Sequence, residues 1–240
     1  LSDIRQYLDQ NPSKPFLLLE YCHAMGNGPG DFEDYFELID AEPAMCGGFV
    51  WEWCDHAVYK GLAEDGRAIY YYGGDHGELI HDGNFCLDGL VYPDRRPHTG
   101  LLEFANVHRP ARVAGFDQAT GVLQLQNKLD FADLAGLVDV VYQVTCDGEV
   151  VETGGVGALP SIAAGATGTI PLGIAVPQTG KCFLKINYHL SGPARLVPAG
   201  HLLGFDEIPL ANADGRNQTA VRLLEATDEG CAALRVSAGG

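Results

Sequence analysis

No uninterrupted apolar run in these 240 residues approaches the roughly 20 needed to cross a bilayer, so no helical membrane span is expected. Basic residues are scarce. Fifteen Lys plus Arg stand against thirty-two Asp plus Glu, a formal net charge of −17, which repels phosphate backbones and anionic lipid surfaces. Neither nucleic acid nor a membrane is an expected partner. The seven cysteines, at positions 22, 46, 54, 86, 146, 182 and 231, include no CxxC pair and none of the paired spacing of a zinc site. An odd, scattered set reads as free thiols in a reducing compartment, which points to the cytoplasm. Internal repeats and low-complexity tracts are also missing. The chain opens on Leu1 rather than Met, so it reads as beginning inside a longer polypeptide.

What is present describes an ordinary globular chain: hydrophobic residues make up 46% and charged residues 20%, well away from disordered or fibrous compositions. The length allows one large domain or two modest ones. Both tryptophans, both methionines and six of the eight histidines fall in the first 110 residues, so the chemistry is expected there. Phe16-Leu17-Leu18-Leu19, led by Lys14-Pro15 and ending in Glu20, reads as a buried parallel strand with a charge at its carboxyl end. Asp31 is placed to cap a helix running to about Asp40, because Phe32, Tyr35, Phe36 and Ile39 recur at helical spacing. Pro43 stops it. Cys46 to Trp51 is a second short apolar run, followed by Glu52-Trp53-Cys54-Asp55. Strand, helix, strand is the unit of an α/β fold, whose ligands bind beyond the carboxyl ends of the strands. Residues 60–110, rich in Gly, Pro, Asp and His with little periodicity, predict a long ordered loop and linker.

From about Arg112 the pattern becomes period two. Val138, Val140, Tyr142, Val144 and Cys146 alternate with polar residues, and Asp147-Gly148 makes a tight hairpin turn into Val150-Val151. Cys182, Leu184, Ile186, Tyr188 and Leu190 repeat the alternation, with Phe183 the exception. Short strands with Gly/Pro turns predict an all-β sandwich of roughly 100 residues, like an immunoglobulin or fibronectin module. Beyond Asn212 the sequence turns loop-like, with Val221–Leu224 and Ala232–Val236 as one or two further strands.

Glu20-Tyr21-Cys22-His23-Ala24-Met25-Gly26-Asn27 is the densest cluster of reactive types. A carboxylate at the mouth of a buried strand has to be hydrogen-bonded, cation-paired or functional, because burying an unpaired charge is costly. His23 taken alone is a structural histidine as readily as a ligand, and Gly26-Asn27-Gly28 is as readily a turn. Trp51 and Trp53, alternating on one strand, read as core aromatics or as a stacking surface. Glu52 and Asp55 read as hydrogen-bonded rim carboxylates. Asp75, His76 and His98 suit either a pocket rim or a solvated loop.

The strings Leu18 to Asn27 and Cys46-Gly47-Gly48-Phe49-Val50-Trp51-Glu52-Trp53 resemble the nucleophile segment and next strand of the large bacterial β-galactosidases of glycoside hydrolase family two. Tyr72-Gly73-Gly74-Asp75, Asn84 to Val91, Pro97-His98, Ala199-Gly200-His201 and Gly204-Phe205 resemble later blocks of that family in the same order. The resemblance implies the last two βα units of a (β/α)8 TIM barrel over 1–110, an immunoglobulin-like β-sandwich over 111–211, and a linker with the start of a further β domain over 212–240. It implies a retaining glycosidase acting on terminal β-D-galactosides such as lactose, with Glu20 as the nucleophile. His23 and Asp88 would then bind substrate, His23 by hydrogen bonds to galactose hydroxyls, and Trp51 would be the platform for the sugar face, with Trp53 left to the core. The Phe85 carbonyl and the Asp88 side chain would hold a monovalent cation, sodium or potassium, that orients a sugar hydroxyl, in keeping with hard-cation preference for oxygen. Asp88 stands where relatives commonly have Asn, and His81 where some have Asn; a surface turn capped by Asp88 is the structural alternative.

A retaining mechanism needs a second carboxylate, which the family carries in an Asn-Glu motif on an earlier strand, and no Asn-Glu dipeptide occurs here. The family's magnesium ligands also lie mostly upstream. The chain therefore reads as a fragment, inactive alone, of a homo-oligomeric enzyme. The sequence is also compatible with a non-catalytic carbohydrate-binding or scaffold module using Trp51, and with a family relative of another sugar specificity.

Overall fold

A computed structural model describes residues 1–213; the strands expected at Val221–Leu224 and Ala232–Val236 lie outside the described residues. The chain opens with helix α1 (Ser2–Leu8), strand β1 (Phe16–Tyr21), helix α2 (Phe32–Ala41) and strand β2 (Met45–Val50). β1 and β2 pair in parallel, Phe16 opposite Met45, Leu18 opposite Gly48 and Tyr21 opposite Val50, as the strand–helix–strand pattern predicts. Ile4, Leu38 and Met45 are buried together, with Leu8, Phe16, Leu18, Tyr35 and Ile39 packed against them, so the apolar stripe of α2 lies on the strand pair.

Two expectations need correction. Asp31 precedes α2, but its φ of 59° is left-handed and its carboxylate makes no capping hydrogen bond. β1 is not buried on both faces either: Leu17 and Leu19 are 44% and 69% exposed, as is Phe49 of β2 at 63%. These two strands are hydrophobic on a face that nothing among the described residues covers.

Residues 60–110 hold more regular structure than their composition predicts. β3 (Val58–Leu62) and β4 (Ala68–Tyr71) form an antiparallel hairpin, and α3 spans Thr99–Val107. Pro97 lies just before the helix, and Gly100 is a contact point. A Cβ at Gly100 would come within 2.4 Å of Pro29 Cδ, so glycine permits α3 to pack closely.

The second half is a sandwich of two antiparallel sheets. β5 (Ala111–Asp117), β6 (Val122–Asn127) and β9 (Thr167–Pro171) form one; β11 (Leu202–Leu210), β10 (Cys182–Leu190), β7 (Val138–Cys146) and β8 (Glu149–Gly155) form the other, in those orders. The alternation reads directly: Cys182, Leu184, Ile186 and Tyr188 are fully buried, and the residues between them are not. Each fully buried aliphatic side chain contributes about 1.5–3 kcal/mol. Asp147 and Gly148 both have positive φ, 50° and 89°, as a two-residue type I′ hairpin turn requires.

A buried polar junction joins the halves. Asp206 on β11 accepts from Arg109 Nη2 at 2.7 Å, from the Val113 amide at 2.9 Å and from the Tyr188 hydroxyl at 2.5 Å. Arg109 is 8% exposed and also donates to the Asn106 carbonyl at the end of α3. Arg112 pairs with Glu33 on α2. No helix among the described residues is long and apolar enough to cross a membrane.

Candidate active site

Beyond Leu19 the backbone leaves regular strand geometry, with Glu20 at φ 56° and Cys22 at φ 49°. Residues with a Cβ hold such left-handed angles at a cost of about 1–3 kcal/mol each, and they cluster where side chains must be aimed. Tyr21, between them, turns inward. It is buried against Phe32 and Tyr35, at ring distances of 6.1 and 5.2 Å. Glu20 is exposed rather than buried as the strand pattern predicts, and among the described residues no hydrogen bond or ion pair holds its carboxylate. It opens into a cleft of about 320 Å³ lined by Glu20, His23, Trp51 and Phe85.

Neighbouring reactive types are chemically quiet. Burial, then the negative charge of Asp31 and Glu103, pushes the Cys22 thiol up to about 12, and it donates to the Gly30 carbonyl at 3.1 Å. Burial first, and then Cys22 and Tyr35, pushes the Tyr21 phenol up to about 12. Both stay protonated at neutral pH.

Three backbone ties hold the cleft together. Trp51 N–H donates to the Tyr21 carbonyl at 3.1 Å, Ala24 N–H to the Trp51 carbonyl at 2.7 Å, and Gly28 N–H to the Met25 carbonyl at 3.0 Å. A Cβ on Gly28 would meet the His23 carbonyl at 2.1 Å, so the turn from Met25 to Gly28 is folded under His23. β2 ends at Val50, so Trp51 and Trp53 follow the strand instead of alternating along it, and the Trp51–Glu52 peptide is cis. Trp53, expected in the core, is 60% exposed.

Asp88 ties the cleft from below. It is 1% exposed; its Oδ2 accepts from Trp51 Nε1 at 3.1 Å and faces His23 Nε2 at 3.3 Å. The surface-turn alternative for Asp88 is therefore set aside. Its Oδ1 is buried with no hydrogen-bond partner, which suits a hard-oxygen ligand left for a small cation. Among the described residues no three His, Cys, Asp or Glu side chains are grouped to hold a metal ion by themselves, so such a cation would need carbonyl oxygens such as that of Phe85. Glu52 lies beside this carboxylate. Burial raises its pKa first, and the charge of Asp88, a hydrogen bond to the Asp88 side chain and the charge of Asp55 raise it further, against the lowering effect of His56.

Residues 1–113 match the family described as glycosyl hydrolases family 2, TIM barrel domain, and residues 123–211 match β-galactosidase, domain 4. The chain belongs to glycoside hydrolase family 2. A β-galactosidase of Actinobacillus pleuropneumoniae is 43% identical over 210 residues, 87% of this chain and 20% of that protein. One from Staphylococcus xylosus is 50% identical over 131 residues, 54% of this chain and 13% of its own length. A third, from Priestia megaterium, is 34% identical over 215 residues, again 87% and 20%. The chain thus spans about a fifth of the length of the relatives matching most of it.

Within this family 2 chain, the structure gathers Glu20, His23, Trp51 and Phe85 on one cleft and wires Asp88 to two of them. Asp75 and His81 serve their own loop, accepting from the amides of Tyr72 and Gly83. Asp55 is hydrogen-bonded as expected, but it is buried, 6% exposed, rather than at a rim. Asp55 and His98 lie 2.8 Å apart, and a separation of 43 positions across mixed structure leaves no periodic signal to connect them. Cys22, Cys46, Cys54, Cys86 and Cys146 are free thiols.

Proposed function

We propose that this chain is the nucleophile-bearing part of a retaining β-galactosidase that hydrolyses terminal β-D-galactosides such as lactose. The supporting observation is the cleft that combines an exposed, unpaired Glu20 with His23 and Trp51. In retaining glycosidases two carboxyl groups lie about 5–5.5 Å apart; one attacks the anomeric carbon while the other protonates the leaving oxygen and later deprotonates water. Glu20 takes the first role: its carboxylate oxygen forms the bond to the anomeric carbon as the glycosidic C–O bond breaks. Its left-handed backbone and lack of a competing partner leave its carboxylate free to face the cleft. The acid/base carboxyl group comes from outside the described residues.

Trp51 offers its indole face to the sugar ring, and the Trp51 Nε1–H to Asp88 bond fixes the plane of that ring. His23, oriented by the same carboxylate, donates to or accepts from sugar hydroxyls at the cleft edge. The Phe85 carbonyl and Asp88 Oδ1 are the oxygens proposed to hold sodium or potassium, which when bound would orient a sugar hydroxyl; magnesium would be held mostly by residues outside this chain.

In the same proposal, residues 1–110 are the last two βα units of a TIM barrel, 111–211 an immunoglobulin-like sandwich, and 212–240 the approach to a further β domain. The exposed apolar faces of β1 and β2 fit barrel strands that need neighbours. The complete protein is proposed to be a cytoplasmic homo-oligomer. Treating it with a 2-deoxy-2-fluoro galactoside and mapping the labelled peptide tests the assignment: the sugar should reside on Glu20, and a label on any other residue ends it. Comparing aryl galactoside, glucuronide and mannoside hydrolysis tests the sugar.

A further inference from the structure

Asp88 orients both Trp51 and His23, so whatever fixes Asp88 fixes the cleft. The segment carrying it runs beside residues 52–55. Glu52 N–H donates to the Asp88 carbonyl at 2.7 Å, Leu90 N–H to the Glu52 carbonyl at 2.9 Å, Val91 N–H to the Trp53 carbonyl at 3.0 Å, and Asp55 N–H to the Val91 carbonyl at 3.0 Å. Gly89 breaks this exchange and presses hardest on its neighbour: a Cβ there would lie 2.2 Å from the Asp55 nitrogen and 2.3 Å from the Cys54 carbonyl carbon. Its amide, one residue after Asp88, donates to a side chain, Asp55 Oδ1, at 2.9 Å.

The other oxygen of that carboxylate is held as well. His98 donates from Nε2 to Asp55 Oδ2 at 2.8 Å, and the two side chains are 29% and 7% exposed. His98 is itself clamped. Its amide donates to the Leu90 carbonyl at 3.0 Å, and its ring stacks on Tyr92 at 3.7 Å and 24°. Asp55 is therefore a fixed carboxylate, 6% exposed, whose side-chain hydrogen bonds go to Gly89 and His98 and to none of the residues lining the cleft. A buried, doubly hydrogen-bonded carboxylate is a costly way to satisfy one amide. What it adds is a defined position for the residue just before that amide.

We propose that Asp55, oriented by His98, is a positioning residue: by holding the Gly89 amide it sets the Asp88 carboxylate, and through it the Trp51 indole and His23. The kinetic part of this inference rests on the galactosidase reading; the geometric part does not. Partners of this kind, which orient a contact residue without touching the ligand, typically matter by about 10–100-fold.

The test uses the complete protein with Asp55→Ala, His98→Ala and Asp55→Asn. Asparagine keeps an oxygen for the Gly89 amide, and its NH₂ can donate to His98 in the other tautomer, so it should rescue. Backbone hydrogen exchange across residues 86–92 should speed up at least about tenfold in the two alanine variants and stay near wild type in Asp55→Asn. With an aryl galactoside, Asp55→Ala should lower kcat/KM about 10–100-fold when Asp88 is intact, and by less than about twofold in an Asp88→Ala background, because the effect passes through Asp88. Equal losses in both backgrounds, or unchanged exchange in both alanine variants, would overturn the inference. His98→Ala leaves the Asp55 side chain in place and decides the matter if Asp55→Ala does not fold. If the wild-type protein cleaves no galactoside, the proposed function fails, and the exchange measurement still decides whether Asp55 positions the loop.

Discussion

Replacing Asp206 with alanine should be among the most damaging single changes in this chain, although the residue is far from the cleft in sequence and chemistry. Its carboxylate satisfies three donors at once: the Arg109 guanidinium, the Tyr188 hydroxyl and the Val113 amide. Removing one member of a buried pair leaves an uncompensated charge and costs about 3–5 kcal/mol. Each further donor stripped of its acceptor costs about 1–3 kcal/mol. Tyr188 is fully buried and has no alternative, whereas Arg109 keeps the Asn106 carbonyl and its Nε already lacks a partner. The losses share one site and do not add fully, so about 4–6 kcal/mol is expected for Asp206→Ala. Asp206→Asn keeps the volume and one acceptor and should cost about half as much. Tyr188→Phe removes one donor and should cost about 1 kcal/mol in the wild-type background; with Asp206→Ala already present it should be neutral or stabilising, because the stranded hydroxyl disappears. Urea unfolding of the complete protein, followed by exchange of the Val113 amide, reads the relevant transition. An Asp206→Ala loss under 1 kcal/mol, or simple additivity with Tyr188→Phe, would refute the reasoning.

Three other outcomes are expected. Gly89→Ala drives a methyl group into the backbone at Cys54 and Asp55, so it should lower kcat/KM for an aryl galactoside at least about tenfold by displacing Asp88, measured beside a thermal melt of the same variant. Leu184→Ala, at a fully buried position of β10, should cost about 2–5 kcal/mol in urea unfolding, while a substitution at the neighbouring, less buried Lys185 should change little. Tyr21 and Cys22 are protonated in the fold up to about 12, against ordinary values of 10.0 and 9.0. Above pH 9 the unfolded chain therefore holds fewer protons than the folded one, and stability should fall as pH rises toward 12. Melting temperatures at pH 8 and 10.5 check the sign, and Cys22 should alkylate more slowly at pH 8 than the exposed Cys46.

What the sequence made legible follows from local physics. β7, β8 and β10 are half-buried ladders, so Val138 to Cys146 and Cys182 to Leu190 carry their pairing in their alternation, and Asp147-Gly148 names the turn. β1 and α2 were equally plain. The α3 helix was hidden because Gly100 serves close packing against Pro29, a tertiary reason that composition reads as a break. The burial expected at Leu17, Leu19 and Glu20 assumed covering layers that the described residues do not supply. The cleft residues were reached through the family resemblance rather than by spacing, since Glu20, Trp51 and Phe85 meet only in three dimensions. The Asp55–His98 contact had no local signature at all: nothing in either neighbourhood specifies that an aspartate and a distant histidine share a proton-donor bond.

Only three residues separate α3 from β5, and Arg109 lies among them with its charge neutralised on the opposite side of the joint. A swivel there would have to break the bonds that cross the joint: Arg109 to the Asn106 carbonyl, the Phe205 amide to Asn106 Oδ1, and the Arg112–Glu33 pair. β8 lies on the outer edge of its sheet, so a bulky addition fused along it should leave the Glu20 cleft undisturbed.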